Sequence, residues 1–483
     1  MHFALISKIL GLLLMLFSFT MLIPAGVAFW YQDGSMTPFI SSFAITFLCG
    51  LALWLPFLRA RAELQPRDGF LVVTLYWTVL GMIGGLPFML SPELNLSFTD
   101  AIFESISGFT TTGSTVLSGL DYLPRSLLFW RALSNWLGGM GVIVLALAIL
   151  PMLGIGGMQL YKAEIPGPSK DAKLTPRIAE TAKALWYIYV SLTAACAVAF
   201  HFAGMSWFDA ICHSFSALAT GGFSTHDASI GYFDSGLINI IAAGFIFLGA
   251  LNFSLFFVAW KDRSLSSFMR DPEFRFFLGL EIVYIAVVTL ALIAHGTYDD
   301  SRTALHHAIL QVLSLSTGTG FVSASIGTWP TFVPFLLILS SFIGGCAGST
   351  AGGMKVVRAA LVFHHSQREL RRLIYPSGIF VLRFGARSVN DKVLQAVWGF
   401  VGVYITISVL SVIAVTASGV DFTTAMSAVA ASINNMGAGI AGISGNFGDL
   451  PTVTKWVLCV DMLLGRLEVF TILVLFMPMF WRQ

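Results

Sequence analysis

Residues 107–114 read SGFTTTGS and lie between two long apolar stretches of a 483-residue chain that is 56% hydrophobic. Threonine and glycine both weaken a helix, so three of one beside the other interrupt any helix that crosses this region. Relatives of the stretch return as SALATGGFS at 216–224, SLSTGTGFVS at 314–323 and INNMGAGIA at 433–441. An interruption that recurs four times is a feature of the architecture, and the reading of the whole chain turns on it.

With 11% charged and 13% aromatic residues, the composition is that of a polytopic membrane protein, because a soluble globule of this size cannot hide so much apolar surface. A net charge of +2, with no basic arm, excludes nucleic acid as a partner. Five scattered cysteines offer neither a disulfide framework nor a CxxC metal pair. Lys8, the apolar run after it and PAGVA resemble a signal peptide, but a second apolar segment at 39–58 makes a helical hairpin the better reading.

A spanning helix needs about 20 apolar residues. Ten segments qualify, near 4–30, 39–58, 69–90, 126–151, 182–203, 236–260, 273–296, 331–365, 393–417 and 453–480. Basic residues concentrate at 59–68, 152–180, 261–275 and 366–392, whereas the alternate connections hold chiefly Arg125, Arg302 and Lys455. By the positive-inside rule both termini are cytoplasmic and the four TTG-like stretches face outward. The acids of the outer segments, Glu104, Asp121 and Asp209 among them, read as solvated residues that modestly enrich cations at a mouth.

The four stretches share one frame. When Gly113, Gly222, Gly320 and Gly437 are aligned, the residues twelve before them are Ala101, Ala210, Ala308 and Ala425. The run between alanine and glycine is long enough only for a half-membrane helix. The unit is therefore helix, short re-entrant helix, glycine-bearing stretch, helix, repeated four times after a two-helix extension. The divisions fall at 1–60 for the extension, 61–160, 161–265 and 266–370 for three repeats, and 371–483 for a cytoplasmic loop with the fourth.

Irregular backbone survives at membrane depth only when it is buried in protein or lines a watery cavity. Four such stretches facing one axis aim carbonyls inward, and a ring of carbonyls can replace the hydration shell of a cation. Each short helix also points the negative end of its dipole at that axis. The plainer alternative is that the glycines permit close helix packing.

TTTGS, ATGGF, TGTGF and NNMGAG in this fourfold plan resemble the Trk/Ktr/HKT superfamily of potassium-translocating proteins over nearly the whole chain. GGCAGSTAGGMK, GGFSTHDASIGYFDS and GRLEVFT are most similar to the membrane subunit of the bacterial Trk potassium-uptake system, the TrkH type. The resemblance implies an all-α fold of four M1-P-M2 repeats around a pseudo-fourfold pore, without enzymatic activity. It implies potassium held by carbonyls of Thr111 and Thr112, Thr220 and Gly221, Gly318 and Thr319, and Asn435 and Met436, with the aligned glycines closing the ring. It also implies a homodimer in the bacterial inner membrane and a cytosolic nucleotide-binding regulatory subunit of the TrkA type. The fourth quadrant departs most, carrying asparagines and methionine. The basic segments at 152–180 and 366–392 are long enough to dock a partner, or serve only orientation and anionic lipid.

Two features lie below the stretches. The segment 331–365 contains GGCAGSTAGG at 344–353, which holds a helix poorly and begins about 20 Å down at ~1.5 Å per residue. Lys355 follows, but without a GK[ST] ending nucleotide binding is rejected. A packing kink is the simple reading; the resemblance implies a mobile intramembrane loop, with Gly344, Gly345, Gly348, Gly352, Gly353 and Lys355, that obstructs the pore and gates it. The last helix carries Asp461, Arg466 and Glu468, with neither acid spaced to pair with Arg466 along the helix. Arg466 must find another helix or pore water, as a structural bridge or as positive charge under the filter. The histidines show no metal spacing and read as structural.

The sequence thus describes a gated potassium pore. The competing class is a secondary symporter, coupled to protons or sodium, with alternating access; it calls for inverted repeats broken at matching positions. Here the repeats are parallel and only the third trailing helix reads as broken.

Overall fold

The computed structural model describes residues 2–60, 65–144, 174–385 and 387–482. The docking segment expected at 152–180 lies mostly outside them, as does the end of the span expected at 126–151. Apart from one two-residue antiparallel pair, Arg383–Phe384 with Arg387–Ser388, the described elements are helical.

Phe3–Tyr31 and Met36–Phe57 form the N-terminal hairpin. Gly11 and Gly50 face each other so closely that a Cβ on Gly11 would stand 2.6 Å from the Gly50 carbonyl. Omitting side chains at the crossing lets the two backbones touch. The hairpin packs on the first repeat through Phe17, whose ring meets Phe109 edge-on at 5.4 Å.

Each repeat then has a leading helix, a short pore helix and a trailing helix. The leading helices are Pro66–Ile83, Leu174–Phe202, Pro272–Ala294 and Asp391–Ala417. The pore helices are Phe98–Phe109, Trp207–Ala219, Ser301–Ser316 and Phe422–Ile433, too short to cross a bilayer at 12 to 16 residues. Three start on side-chain caps, with Ser97, Ser206 and Asp421 accepting from the amides of Asp100, Asp209 and Thr424. Ala101, Ala210, Ala308 and Ala425 are all fully buried, so the alanine frame marks where each pore helix presses into the bundle.

The trailing helices differ from expectation. The first, Arg125–Val144, runs unbroken through the described residues. The second, expected as one span over 236–260, bends by 90° between Gly236–Gly249 and Phe253–Asp262. Asn252 causes the restart, its side chain accepting from the Ser254 amide at 2.9 Å as a helix cap. The third breaks between Phe332–Ser341 and Val356–Ile374, and the fourth after Thr452–Arg466, where Glu468 and Val469 take positive φ. Three trailing helices are therefore broken, not one.

Candidate functional site

Where the pore helices end, the chain takes one conformation four times. Thr111 and Gly113, Thr220 and Gly222, Gly318 and Gly320, and Asn435 and Gly437 all have positive φ, with the intervening residue not among the positive-φ positions. A φ that alternates in sign over three residues is a form that neither a regular strand nor a helix adopts. For Thr111, Thr220 and Asn435 this conformation costs on the order of 1–2 kcal/mol each. The amides of Thr112, Gly221, Thr319 and Met436 anchor the turn by donating to the carbonyls of Ser107, Ser216, Ser314 and Ala431 at 2.7–2.8 Å.

The four turns close a ring. A Cβ on Gly113 would stand 2.2 Å from the carbonyl oxygen of Gly221, one on Gly222 2.0 Å from that of Thr319, one on Gly320 2.0 Å from that of Met436, and one on Gly437 2.1 Å from that of Thr112. Each aligned glycine thus abuts the preceding frame position of the next repeat, in the order one, two, three, four and back to one. No side chain fits there. Of the eight carbonyls expected to coordinate, only that of Met436 accepts a hydrogen bond among the described residues, from the Ala438 amide at 2.9 Å. Seven carbonyls left unpaired at buried positions are a large departure from the near-complete pairing of buried backbone.

Among the described residues no side chain bonds those carbonyls. The Thr110 and Thr112 hydroxyls bond each other at 2.7 Å, and Thr317 and Thr319 repeat this at 2.8 Å in the third quadrant. In the fourth, the Asn435 amide donates to Thr112 Oγ1 and to the Met462 carbonyl, both at 2.9 Å. The asparagine that breaks the sequence pattern therefore ties the fourth quadrant to the first.

Behind the ring, the pore helices brace the segments that follow it. Glu104 is fully buried and accepts from the Val116 amide at 2.9 Å, the Thr115 hydroxyl at 3.0 Å and Arg131 Nε at 2.7 Å. Arg131, also buried, donates across the repeat boundary to the Ser224 carbonyl at 2.8 Å. Glu104 is thus not a solvated outer acid, because its carboxylate is consumed inside the protein. His213 bonds Ser224 at 2.9 Å and Gln311 accepts from the Ser323 amide at 3.1 Å, each nine residues before its aligned glycine, as Glu104 is. In the fourth repeat that position is Ala428, and Ser427 takes over by accepting from the Ile440 amide at 2.9 Å.

Directly against the ring lies the break at 342–355. Gly344, Gly348, Gly353 and Lys355 have positive φ. The Gly352 and Gly353 amides donate to the Thr317 and Asn434 carbonyls at 3.3 and 3.2 Å, and a Cβ on Gly352 would stand 1.9 Å from the Asn434 oxygen. Gly345 packs on Ala351 and Ala250. The Thr350 hydroxyl reaches the Leu218 and Gly249 carbonyls, each at 2.9 Å, and the Cys346 amide the Ala250 carbonyl at 2.9 Å. Carbonyls released by the bend in the second trailing helix thus receive the donors of the third. Lys355 Nζ turns back onto the Ala351 carbonyl.

Arg466 is buried and meets no acid among the described residues. It donates to the Thr350 carbonyl at 2.7 Å and to the Gly138 carbonyl of the first trailing helix at 3.0 Å. Asp461 instead accepts from Ser411 at 2.7 Å, and Glu468 pairs with Arg358 at 2.6 Å. The guanidinium therefore joins the fourth trailing helix, the broken loop and the first repeat at one point beside the ring.

A family model described as TrkH, cation transport protein, matches residues 35–483. The chain belongs to that TrkH family. Trk system potassium uptake protein TrkH of Salmonella typhimurium is 52% identical over 483 residues, covering 100% of both chains. Trk system potassium uptake protein TrkG of Escherichia coli K12 is 40% identical, over 100% of this chain and 99% of that protein. The crystal structure of the potassium transporter TrkH from Vibrio parahaemolyticus superposes over 100% of both chains with a TM-score of 0.94 at 50% identity. This TrkH-family chain is a cation transporter and not an enzyme. Its four M1-P-M2 repeats surround a pseudo-fourfold axis beside two additional N-terminal helices. The residues that the sequence did not single out are Arg131, His213, Gln311 and Asn252. The shared frame position of Glu104, His213 and Gln311 was the available signal for the brace.

Proposed function

We propose that this chain takes up potassium across the bacterial inner membrane through a gated pore, with the four turns as its selectivity filter. The cyclic contact of aligned glycines with neighbouring carbonyls carries the reading. It fixes the spacing of unpaired oxygens, and oxygens at fixed spacing substitute for the hydration shell of one size of ion better than another. The relatives named for potassium uptake support the choice of ion. Thr111, Thr112, Thr220, Gly221, Gly318, Thr319, Asn435 and Met436 supply the carbonyls.

The loop at 344–353, Lys355 and Arg466 form the gate beneath. Both termini are cytoplasmic, the chain works as a homodimer, and a soluble nucleotide-binding subunit of the TrkA type acts on the gate from the basic cytoplasmic segments. The division at 60, 160, 265 and 370 separates the extension and the four repeats. Repeats in one parallel topology favour this pore over a symporter built on inverted repeats.

The test is flux into liposomes under a potassium and then a sodium gradient, for the native chain and Gly113→Ser. Potassium-selective flux whose selectivity collapses in the variant is expected. Flux that needs an opposing proton or sodium gradient, and ignores Gly113, would overturn the proposal.

A further inference from the structure

His226 belongs to GGFSTHDASIGYFDS, a run that the filter and the loop leave unexplained. Its ring lies between two carboxylates from different repeats. Nδ1 bonds Asp121 Oδ1, from the outer connection of the first repeat, and Nε2 stands 3.5 Å from Asp209 Oδ1, at the start of the second pore helix. Tyr232 stacks flat on the imidazole at 3.5 Å and 4°, and Phe233 closes an edge at 5.4 Å. The groups facing it are thus Asp121 from one element, Asp209 and His213 from another, with the His213 ring 6.5 Å from that of His226, and Tyr232 from a third.

The same few residues reach the brace behind the ring. The His226 amide donates to Ser224 Oγ at 3.1 Å, Ser224 also bonds His213, and its carbonyl takes Arg131 Nη1 at 2.8 Å. Thr225 donates to Asp209 at 2.7 Å. The equivalent region of the third repeat has Ser323 bonded to His307 at 2.8 Å, and no carboxylate pairs with that histidine among the described residues. The first-to-second junction of the ring therefore has an ionic clasp of its own.

We propose that His226 is a positioning residue that holds the first and second quadrants of the filter together while it carries a proton, so that the potassium preference of the pore depends on outer pH. The inference rests on the filter reading above. Burial alone disfavours the charged ring, but the hydrogen bonds and charges of Asp209 and Asp121 outweigh it and raise the histidine above its ordinary titration range. Burial likewise opposes the Asp209 charge, yet bonds from His226, Ser206 and Thr225 hold that carboxyl well below the usual carboxylate range. A histidine raised by folding is closed in its clasp below its midpoint and released as pH rises through it.

The test is the potassium-to-sodium preference of the full chain in liposomes, from reversal potentials, with outer pH stepped from about 6 to about 9 and inner pH fixed, across the titration range of histidine. The native chain is expected to lose about fivefold in preference as outer pH rises, the size of a modest coupling. His226→Gln shows one preference at every pH. Asp121→Asn keeps the transition but moves its midpoint down, because one of the two acids is gone. Histidine NMR, with the His226 signal assigned by its loss in His226→Gln, must give the same midpoint as the transport curve. A pH response unchanged in His226→Gln, or a midpoint indifferent to Asp121→Asn, overturns the inference. A native chain without potassium preference at any pH defeats the filter reading instead, and the NMR midpoints still judge the clasp.

Discussion

In the ring, the same steric contact occurs four times, glycine against carbonyl, and closes on itself. In the segment at 342–355, glycines are again frequent, but no contact repeats by symmetry and the hydrogen bonds run to several different elements. The ring leaves seven of its eight carbonyls unpaired among the described residues and its amides anchored; the loop gives away its amides and is held by Arg466 and Thr350. Glycine thus serves two ends in one molecule. In the ring it removes side chains so that oxygens come together at a fixed spacing, and in the loop it provides the positive φ that an irregular path needs.

Substituting alanine for a ring glycine is the strongest way to separate the two. Gly222→Ala places a methyl group 2.0 Å from the Thr319 oxygen at a φ of +71°, a backbone clash with no side chain free to move away. Several kcal/mol are at stake, so potassium-selective flux is expected to fall about 1000-fold or more. Gly244→Ala, in a helix where nothing lies within 4 Å, is the matched control and leaves flux at the native level. Rubidium uptake by both proteins decides the point, and selective uptake by Gly222→Ala would break the ring as described.

Arg131→Met tests whether the ring depends on the brace behind it. It strands the Glu104 carboxylate in a fully buried site, which costs about 3–5 kcal/mol. The thermal midpoint in detergent should drop sharply, and Glu104→Gln/Arg131→Met together should recover a large part of the loss. A double variant no more stable than Arg131→Met would show that the stranded Glu104 carboxylate is not the source of the loss.

The alignment of alanines and glycines made the fourfold plan and the turns legible in the sequence, because both follow from residues whose smallness or conformational freedom the backbone requires. Contacts between helices were less visible. Glu104 resembled other outer acids, since its partner Arg131 is 27 residues away on a helix whose facing residues no local pattern specifies. The bend after Gly249 was hidden in GALNFS, an apolar run in which Asn252 reads as one tolerated polar residue until its side chain is seen capping the next helix. Asn435 was the reverse case. It looked like the largest departure from the pattern, yet its side chain bonds Thr112 and Met462 and the backbone keeps the shared form.

On the loop side, effects should be smaller and leave selectivity intact. Arg466→Gln removes charge-assisted bonds to the Thr350 and Gly138 carbonyls. One such bond contributes about 1.5–3 kcal/mol, and the amide replaces part of it, so basal flux of the chain alone should rise about tenfold. A fall in potassium preference of similar size would instead assign Arg466 to the filter.

Thr350→Val gives the smallest and most discriminating effect. The shape is conserved, and what is lost is the hydroxyl shared between the Leu218 and Gly249 carbonyls, which also accepts from the Thr220 hydroxyl at 3.3 Å. Those carbonyls belong to the second pore helix and the second trailing helix, so the hydroxyl holds the loop to a quadrant other than its own. A neutral hydrogen bond is worth about 1 kcal/mol, which shifts the balance between a held and a released loop about fivefold. Open probability in single-channel recordings is the measurement, because it separates how often the pore conducts from what it conducts. An increase of that size with unchanged conductance and reversal potential means that loop and ring are independent parts in contact. A shifted reversal potential means that the bond from Thr350 to Leu218 also sets the second quadrant, and the contrast between a fixed ring and a movable loop would then fail at that junction.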